Sequence, residues 1–339
     1  MPRGIYNLGN TCFLNTCLQI LLHTYELYTL PLDLCNTKII EAKFMEQWIL
    51  FQKEMIQENQ PPFSPNSLIQ WVRHIAGVQN RMLFTGNSQN DMTEFLLFFM
   101  DCIHTCFQRS MEINIQGKVE NETDAMAIQC YKMISETYKK EYSEIRHLFY
   151  GISVSQLIDT TSEKKVLQIN PESFFILDLP IDGPDLYTCL QKYITPELLE
   201  NENAWFNETT GLKQDVYKQI IFWNFPPILV ISLNRFYYDA ERNQLLKNMH
   251  LVDFPIDHFD LSPYVHGYNP TSYQYELYGI CNHVGDITGG HYSAFIKTNA
   301  NQWFHCNDDR LELVGNEILE KMITPMAYCL FYRRKNNLI

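Results

Sequence analysis

Residue types that can do chemistry gather in two stretches near opposite ends of this 339-residue chain. The first is Gly4-Ile5-Tyr6-Asn7-Leu8-Gly9-Asn10-Thr11-Cys12, which runs into an apolar pattern at Phe13, Leu14, Cys17, Leu18, Leu21 and Leu22. That spacing predicts a helix with one face in a core. Thr11 suits the N-cap and puts Cys12 in the first turn. The unpaired N–H groups and positive helix end found there are expected to lower the thiol's pKa. Asn7 sits in the glycine-broken turn just before, where its side-chain amide can point at the same spot. Together they read as a thiolate nucleophile with an oxyanion donor. Taken alone, the stretch reads equally well as a Gly/Asn turn before a core helix with a buried cysteine.

The second stretch is Gly289-Gly290-His291-Tyr292-Ser293-Ala294-Phe295, followed by Trp303-Phe304-His305-Cys306-Asn307-Asp308-Asp309. Strands over 292–297 and 303–306, joined by a short polar turn, form a hairpin that brings Asn307 beside His291. An asparagine accepting from the imidazole N–H fixes its tautomer, as in Cys-His-Asn thiol hydrolases. With ten histidines in the chain, one at a strand start says little by itself. Gly-Gly-His-Tyr with a following Asn-Asp is far more specific.

The elements that position these residues follow from periodicity. Glu41 to Gln57 is expected as an amphipathic helix, with Phe44, Trp48, Phe51 and Met55 on one stripe. Pro61-Pro62 and Pro65 separate it from a helix around Ser67 to Ala76. Asn90 is expected to cap a strongly apolar helix through Leu96, Phe99, Cys102, Ile103 and Cys106, a polar loop to span 109–125, and a further helix 126–147. From Phe149 the period changes to that of strands, with a short helix at Leu186 to Tyr193. Later strands are expected at Ile228 to Leu233, Tyr275 to Cys281, Tyr292 to Ile296, Trp303 to Cys306 and Ala327 to Tyr332. Helices first and strands second indicate an α+β fold in one catalytic unit over 1–339, without flanking domains.

Bulk properties narrow the function. A composition with 46% hydrophobic and 14% aromatic residues supports a large core. The net charge of −13 argues against nucleic acid or an anionic membrane as the main partner. Ten scattered cysteines, no Cys-x-x-Cys pair, no secretory leader and no membrane-length apolar run indicate a reducing, intracellular setting, cytoplasmic or nuclear. The sequons at Asn121 and Asn207 carry no weight without a secretory signal.

Gly4 to Leu22 resembles the Cys box of the ubiquitin-specific proteases, and Tyr275 to Asp309 resembles their His box. Between them, Gln89-Asn90-Asp91-Met92-Thr93-Glu94-Phe95 is similar to the family's Gln-x-Asp-Ala-x-Glu-Phe segment. Pro227 to Phe236 is similar to its proline-led strand ending in Leu-Lys-Arg-Phe. The landmarks keep the family's order over nearly the whole chain. Asn90, Met92 and Asn234 depart from its usual residues without touching the chemistry. The resemblance implies a papain-like cysteine protease fold of thumb, fingers and palm, with approximate limits 1–147, 148–225 and 226–339. It implies Cys12 as nucleophile, His291 as base, Asn307 as third member and Asn7 as oxyanion amide, helped by Asp308. Gln89, Asp91, Gly289, Gly290 and Tyr292 would line the path of the ubiquitin tail, with Asp91 pairing with its arginines. Ubiquitin and ubiquitinated proteins are the implied partners, and the reaction needs no cofactor.

Many members of the family hold a structural zinc at the fingertips with two Cys-x-x-Cys pairs. Counting from Gly151 and back from the proline-led strand puts those positions at Asp159, Ser162, Asn207 and Thr210, none of them cysteine. Metal-free fingers are therefore expected, held by strand pairing and by Val154, Val166, Val216 and Ile220. Two alternatives remain at this level: a catalytically silent ubiquitin-binding module, and a protease for another modifier ending in Gly-Gly.

Overall fold

The helix that begins at Cys12, α1 (Cys12–Leu22), is buried along its whole length rather than on one face. Its polar positions Asn15, Thr16 and Gln19 are as inaccessible as its leucines. The cause is enclosure from two sides. Helices α2 (Glu41–Met55), α3 (Asn66–Val78) and α4 (Met92–Phe107) share one apolar cluster with it, and a large sheet closes the other side. The computed structural model describes residues 2–57, 60–286, 288–315 and 320–335, so 1, 58–59, 287, 316–319 and 336–339 of the expected unit lie outside the described residues.

Helix α4 starts one residue later than the sequence suggests. Asp91, not Asn90, is its N-cap, because the Asp91 backbone is extended and its carboxylate accepts from Thr93 N and Glu94 N. The single helix expected over 126–147 is two, α5 (Glu122–Glu141) and α6 (Glu144–Phe149). A tertiary contact breaks it: Tyr142 exchanges both backbone hydrogen bonds with Arg109, at 2.9 Å each, and must be extended to do so.

Strands β1 (Gly151–Asp159), β2 (Val166–Phe174), β4 (Glu197–Leu199) and β7 (Val216–Asn224) form an antiparallel sheet in the order β2-β1-β7-β4. Helix α5 packs on it through Ala127 and Cys130 against Val154 and Trp223. Val154 and Val216 are buried there, but Val166 is 40% exposed, since β2 is an edge strand and Val166 begins it. The ribbon β5 (Trp205–Asn207) and β6 (Leu212–Gln214) extends this region.

The main sheet has β3 (Ile176–Pro180), β8 (Ile228–Asn234), β12 (Gln274–Asp286), β13 (Gly289–Lys297), β14 (Trp303–Asn307), β15 (Arg310–Val314) and β16 (Ala327–Arg334), in the order β15-β14-β13-β12-β16-β8-β3. Only β3 and β8 run parallel; β11 (Phe259–Asp260) pairs with the start of β12. One face of the sheet packs on α1, and the other forms a second core with α7 (Leu186–Tyr193). A short ribbon, β9 (Phe236–Asp239) with β10 (Gln244–Lys247), follows β8. The mixed helix and strand content agrees with the α+β expectation. Among the described residues no helix is long and apolar enough to cross a membrane.

Candidate active site

The turn before α1 is built by residues that tolerate a left-handed backbone. Gly9 and Asn10 take φ of +92° and +56°. Asn7 organises that turn: its Oδ1 accepts from Gly9 N at 3.0 Å and Thr11 N at 3.2 Å. Thr11 occupies the cap position but makes no side-chain cap bond, because its hydroxyl accepts from Leu8 N instead. Cys12, 3% exposed, follows at the helix start.

The expected hairpin forms, with β13 and β14 in register from Ala294 opposite Cys306 to Lys297 opposite Trp303. It brings His291 Nε2 to 2.6 Å from Asn307 Oδ1. A carbonyl oxygen only accepts, so Nε2 carries the proton and Nδ1 is left as the basic nitrogen. The next residue of the strand, Tyr292, shares the apolar cluster of Cys12, and α1 packs on β13. Cys12 and the His291–Asn307 pair thus lie in the region where α1 packs on β13.

One electrostatic expectation is reversed. The Cys12 thiol is raised above its ordinary value, first by burial and also by the Asp308 carboxylate. Hydrogen bonds from the backbone of Tyr292, Phe13 and Cys12 act the other way and are outweighed. The free protein therefore holds a thiol that needs a base. Cys17, on the same helix, is a core residue, with its thiol raised by burial alone.

Asp308, at φ +52°, is bound on every side. Its Oδ2 accepts from Asn7 Nδ2 at 3.0 Å, its Oδ1 from Asn15 Nδ2 at 2.8 Å, and its carbonyl from Ile5 N at 2.9 Å. A carboxylate cannot itself donate to an oxyanion; Asp308 instead fixes the Asn7 amide, which keeps a second Nδ2 hydrogen. Asn15 joins this hydrogen-bond network and was passed over in the sequence; the signal was a polar side chain three positions after Cys12 in an apolar helix.

Across the cleft, Gln89 Oε1 accepts from Gly290 N at 2.8 Å, tying the helical side to the β12–β13 hairpin. A side chain on Gly290 would collide with the His283 ring and the Val284 carbonyl. Asp91 Oδ2 accepts from Tyr292 Oη at 3.2 Å and Tyr328 Oη at 2.6 Å, while its Oδ1 serves the helix cap. Burial and the Asp91 charge push both phenols up, which keeps them as donors. Gln89, Asp91, Gly289, Gly290 and Tyr292 line one depression beside His283 and Phe236.

His283, Tyr328 and Lys247 were not legible as site residues. Lys247 donates to the carbonyls of His283, at 2.6 Å, and Gly285, at 3.1 Å, and lies 3.1 Å from His283 Nδ1. The His283 ring lies tilted against Tyr292 with centroids 4.5 Å apart. Burial and the Lys247 ammonium push His283 down to about 4, so it is neutral and accepts from the lysine.

At the positions of the family's zinc ligands, the donors present do not suit zinc. Asp159 Oδ1 accepts from Thr161 Oγ1 and Lys165 N, and Asn207 Oδ1 accepts from Thr209 N and Thr210 N. These oxygens close turns, and none of the four residues supplies thiolate or imidazole.

Ubiquitin carboxyl-terminal hydrolase Usp2 of Drosophila melanogaster is 29% identical over 344 residues, covering 98% of this chain and 34% of that protein. Ubiquitin carboxyl-terminal hydrolase 8 of Arabidopsis thaliana is 35% identical over 156 residues, 46% of this chain and 17% of its own length. The chain thus spans about a third or less of these two relatives. The fold is similar to that of the SAGA Ubp8/Sgf11/Sus1/Sgf73 DUB module bound to ubiquitin aldehyde, with a TM-score of 0.74 at 23% identity, covering 98% of this chain and 69% of that one. The family model described as ubiquitin carboxyl-terminal hydrolase matches residues 3–332. A match of that extent makes the assignment plain: the chain belongs to the ubiquitin carboxyl-terminal hydrolase family.

Proposed function

We propose that this protein is a thiol-dependent deubiquitinase that hydrolyses the isopeptide or peptide bond after the C-terminal Gly-Gly of ubiquitin. The observation that carries the reading is the packing of the helix that begins at Cys12 on the strand bearing His291, whose Nε2 is held by Asn307 at 2.6 Å. In the proposed reaction His291 Nδ1 takes the Cys12 proton and the sulfur attacks the terminal glycine carbonyl. Negative charge develops on the carbonyl oxygen, toward the Asn7 amide. Collapse expels the lysine amine, which takes its proton from His291, and leaves a thioester on Cys12. Water, deprotonated by His291, then hydrolyses the thioester and regenerates the thiol.

In this reading the tail passes between Gln89 and Asp91 on one side and the Gly289-Gly290 hairpin on the other, where bare backbone leaves room only for glycine. Asp91 would meet the basic residues that precede the Gly-Gly end. Residues 1–147 act as thumb, 148–225 mostly as fingers and 226–339 mostly as palm. Ubiquitinated proteins of the cytoplasm or nucleus are the substrates, and no cofactor takes part.

Turnover of a fluorogenic ubiquitin conjugate tests the proposal. Wild-type protein should hydrolyse it and Cys12→Ala should not, while still binding ubiquitin. Asn307→Ala should lose less rate than His291→Ala, because the base survives without its orienter. Hydrolysis by Cys12→Ala would sink the assignment. Ubiquitin binding without turnover by wild type would favour a silent module, and preference for a different Gly-Gly modifier in a parallel assay would move the substrate.

A further inference from the structure

A second concavity shares no residue with the catalytic cleft. It encloses about 340 Å³ where α5 and α6 meet the start of β1, the Pro226-Pro227 corner and the end of β16. Arg146 and His147 line it from the helical side and Arg334 from the sheet side. Among the described residues no Asp or Glu lines it, in a chain with 39 acidic and 26 basic residues.

Each guanidinium is tethered by one edge. Arg146 donates through Nε to the Glu141 carbonyl at 3.1 Å and through Nη2 to the Glu141 carboxylate at 2.5 Å. Arg334 donates through Nε to Tyr275 Oη at 3.3 Å and through Nη2 to the Phe225 carbonyl. Among the described residues Nη1 of each is uncommitted, and Arg334 has no carboxylate partner. Their faces lie over aromatic rings, Arg146 at 5.0 Å from the Tyr150 centroid and Arg334 at 4.3 Å from that of Tyr273. The rings fix the guanidinium planes and the tethers fix their rotation, so the remaining donors are preorganised for an oxyanion. Tyr138, Tyr150 and Tyr273 also line the space; burial raises their pKa, so they stay protonated and add no competing charge.

We infer that this cavity binds a small organic phosphate carrying a flat ring. The phosphate sits at the free Nη1 edges of Arg146 and Arg334, and the ring packs among the tyrosines, Phe225 and Pro226. The volume holds one ring and one phosphate and little more. This site stands independently of the ubiquitin reading.

Calorimetric titration of the full chain with phenyl phosphate at low ionic strength tests it. The expected dissociation constant is on the order of 0.1–1 mM, with no binding of phenol and weaker binding of inorganic phosphate. Arg334→Gln should weaken phenyl phosphate about tenfold or more. Because Arg334 also ties Phe225 and Tyr275, a second variant guards against misfolding. Ser173→Glu places a carboxylate at the exposed rim without touching either tether, and should weaken binding similarly at an unchanged melting temperature. Absence of binding, equal affinity for inorganic and phenyl phosphate, or indifference to both substitutions would overturn the inference.

Discussion

Asp308 holds Asn7 and Asn15 with one carboxylate, and this makes the proposed oxyanion donor a property of a network rather than of one side chain. Asn7→Ala should lower kcat on the order of 10²-fold with little change in KM. Asp308→Ala should lower it comparably by releasing Asn7, and the double variant should be scarcely worse than either single one. Full additivity in that cycle would mean that Asp308 acts separately. Asp91 serves two masters. Thr93 N, Glu94 N, Thr93 Oγ1, Tyr292 Oη and Tyr328 Oη all donate to it, so the same carboxylate that would face the tail also holds the fold. Asp91→Ala should therefore cost about 1–2 kcal/mol in urea unfolding through the lost cap, as well as raising KM for ubiquitin. Tyr328→Phe keeps the cap and separates the effects; a KM that moves only with stability would leave Asp91 as a helix cap.

At the level of elements, the β12–β13 hairpin is held from the helical side by Gln89 and from the β9–β10 ribbon by Lys247. Lys247→Met should loosen it, raising KM for ubiquitin more than it lowers kcat and speeding amide exchange over the hairpin. Alkylation of Cys12 by a small reagent should keep its rate, since the nucleophile is not touched. Unchanged exchange would show the lysine to be dispensable. The β13–β14 hairpin was legible in the sequence, as were α7 and the β8 strand, because each has a full local period. Cys12, His291 and Asn307 were legible for a related reason, as their neighbours Gly-Asn-Thr and Gly-Gly describe tight turns. The ribbon β9–β10 was not, for its exposed Tyr237, Tyr238 and Leu245 give no one-sided pattern. Lys247, Asn15 and Tyr328 take their roles from partners far along the chain, which no local window contains. The raised Cys12 thiol escaped notice for the same reason: helix position is local, but the burial that overrides it is tertiary.

The whole molecule contains histidines that fold neutral. Burial, with the Arg333 and Lys247 charges, pushes His23 and His283 down to about 4 from an ordinary 6.5. Between those values the unfolded chain binds more protons than the native one, so stability rises with pH there. The contribution should be complete above pH 6.5 and fade as pH falls toward 4. Urea unfolding across that range checks it, and His23→Gln should flatten the slope; a slope unaltered by the substitution would place the proton uptake elsewhere.

The contacts of Asp308 have a kinetic meaning as well. They join positions 293 and 301 residues apart. Loops of that length close late in folding, since the chain entropy lost must be offset by structure already formed around them. The helices near the N-terminus can form from local contacts, yet they cannot assemble the site without the strands that arrive last. On refolding from denaturant, far-UV dichroism should return first and ubiquitin hydrolysis only with the final phase. Competence of this protein is therefore a report that its chain has closed from one end to the other.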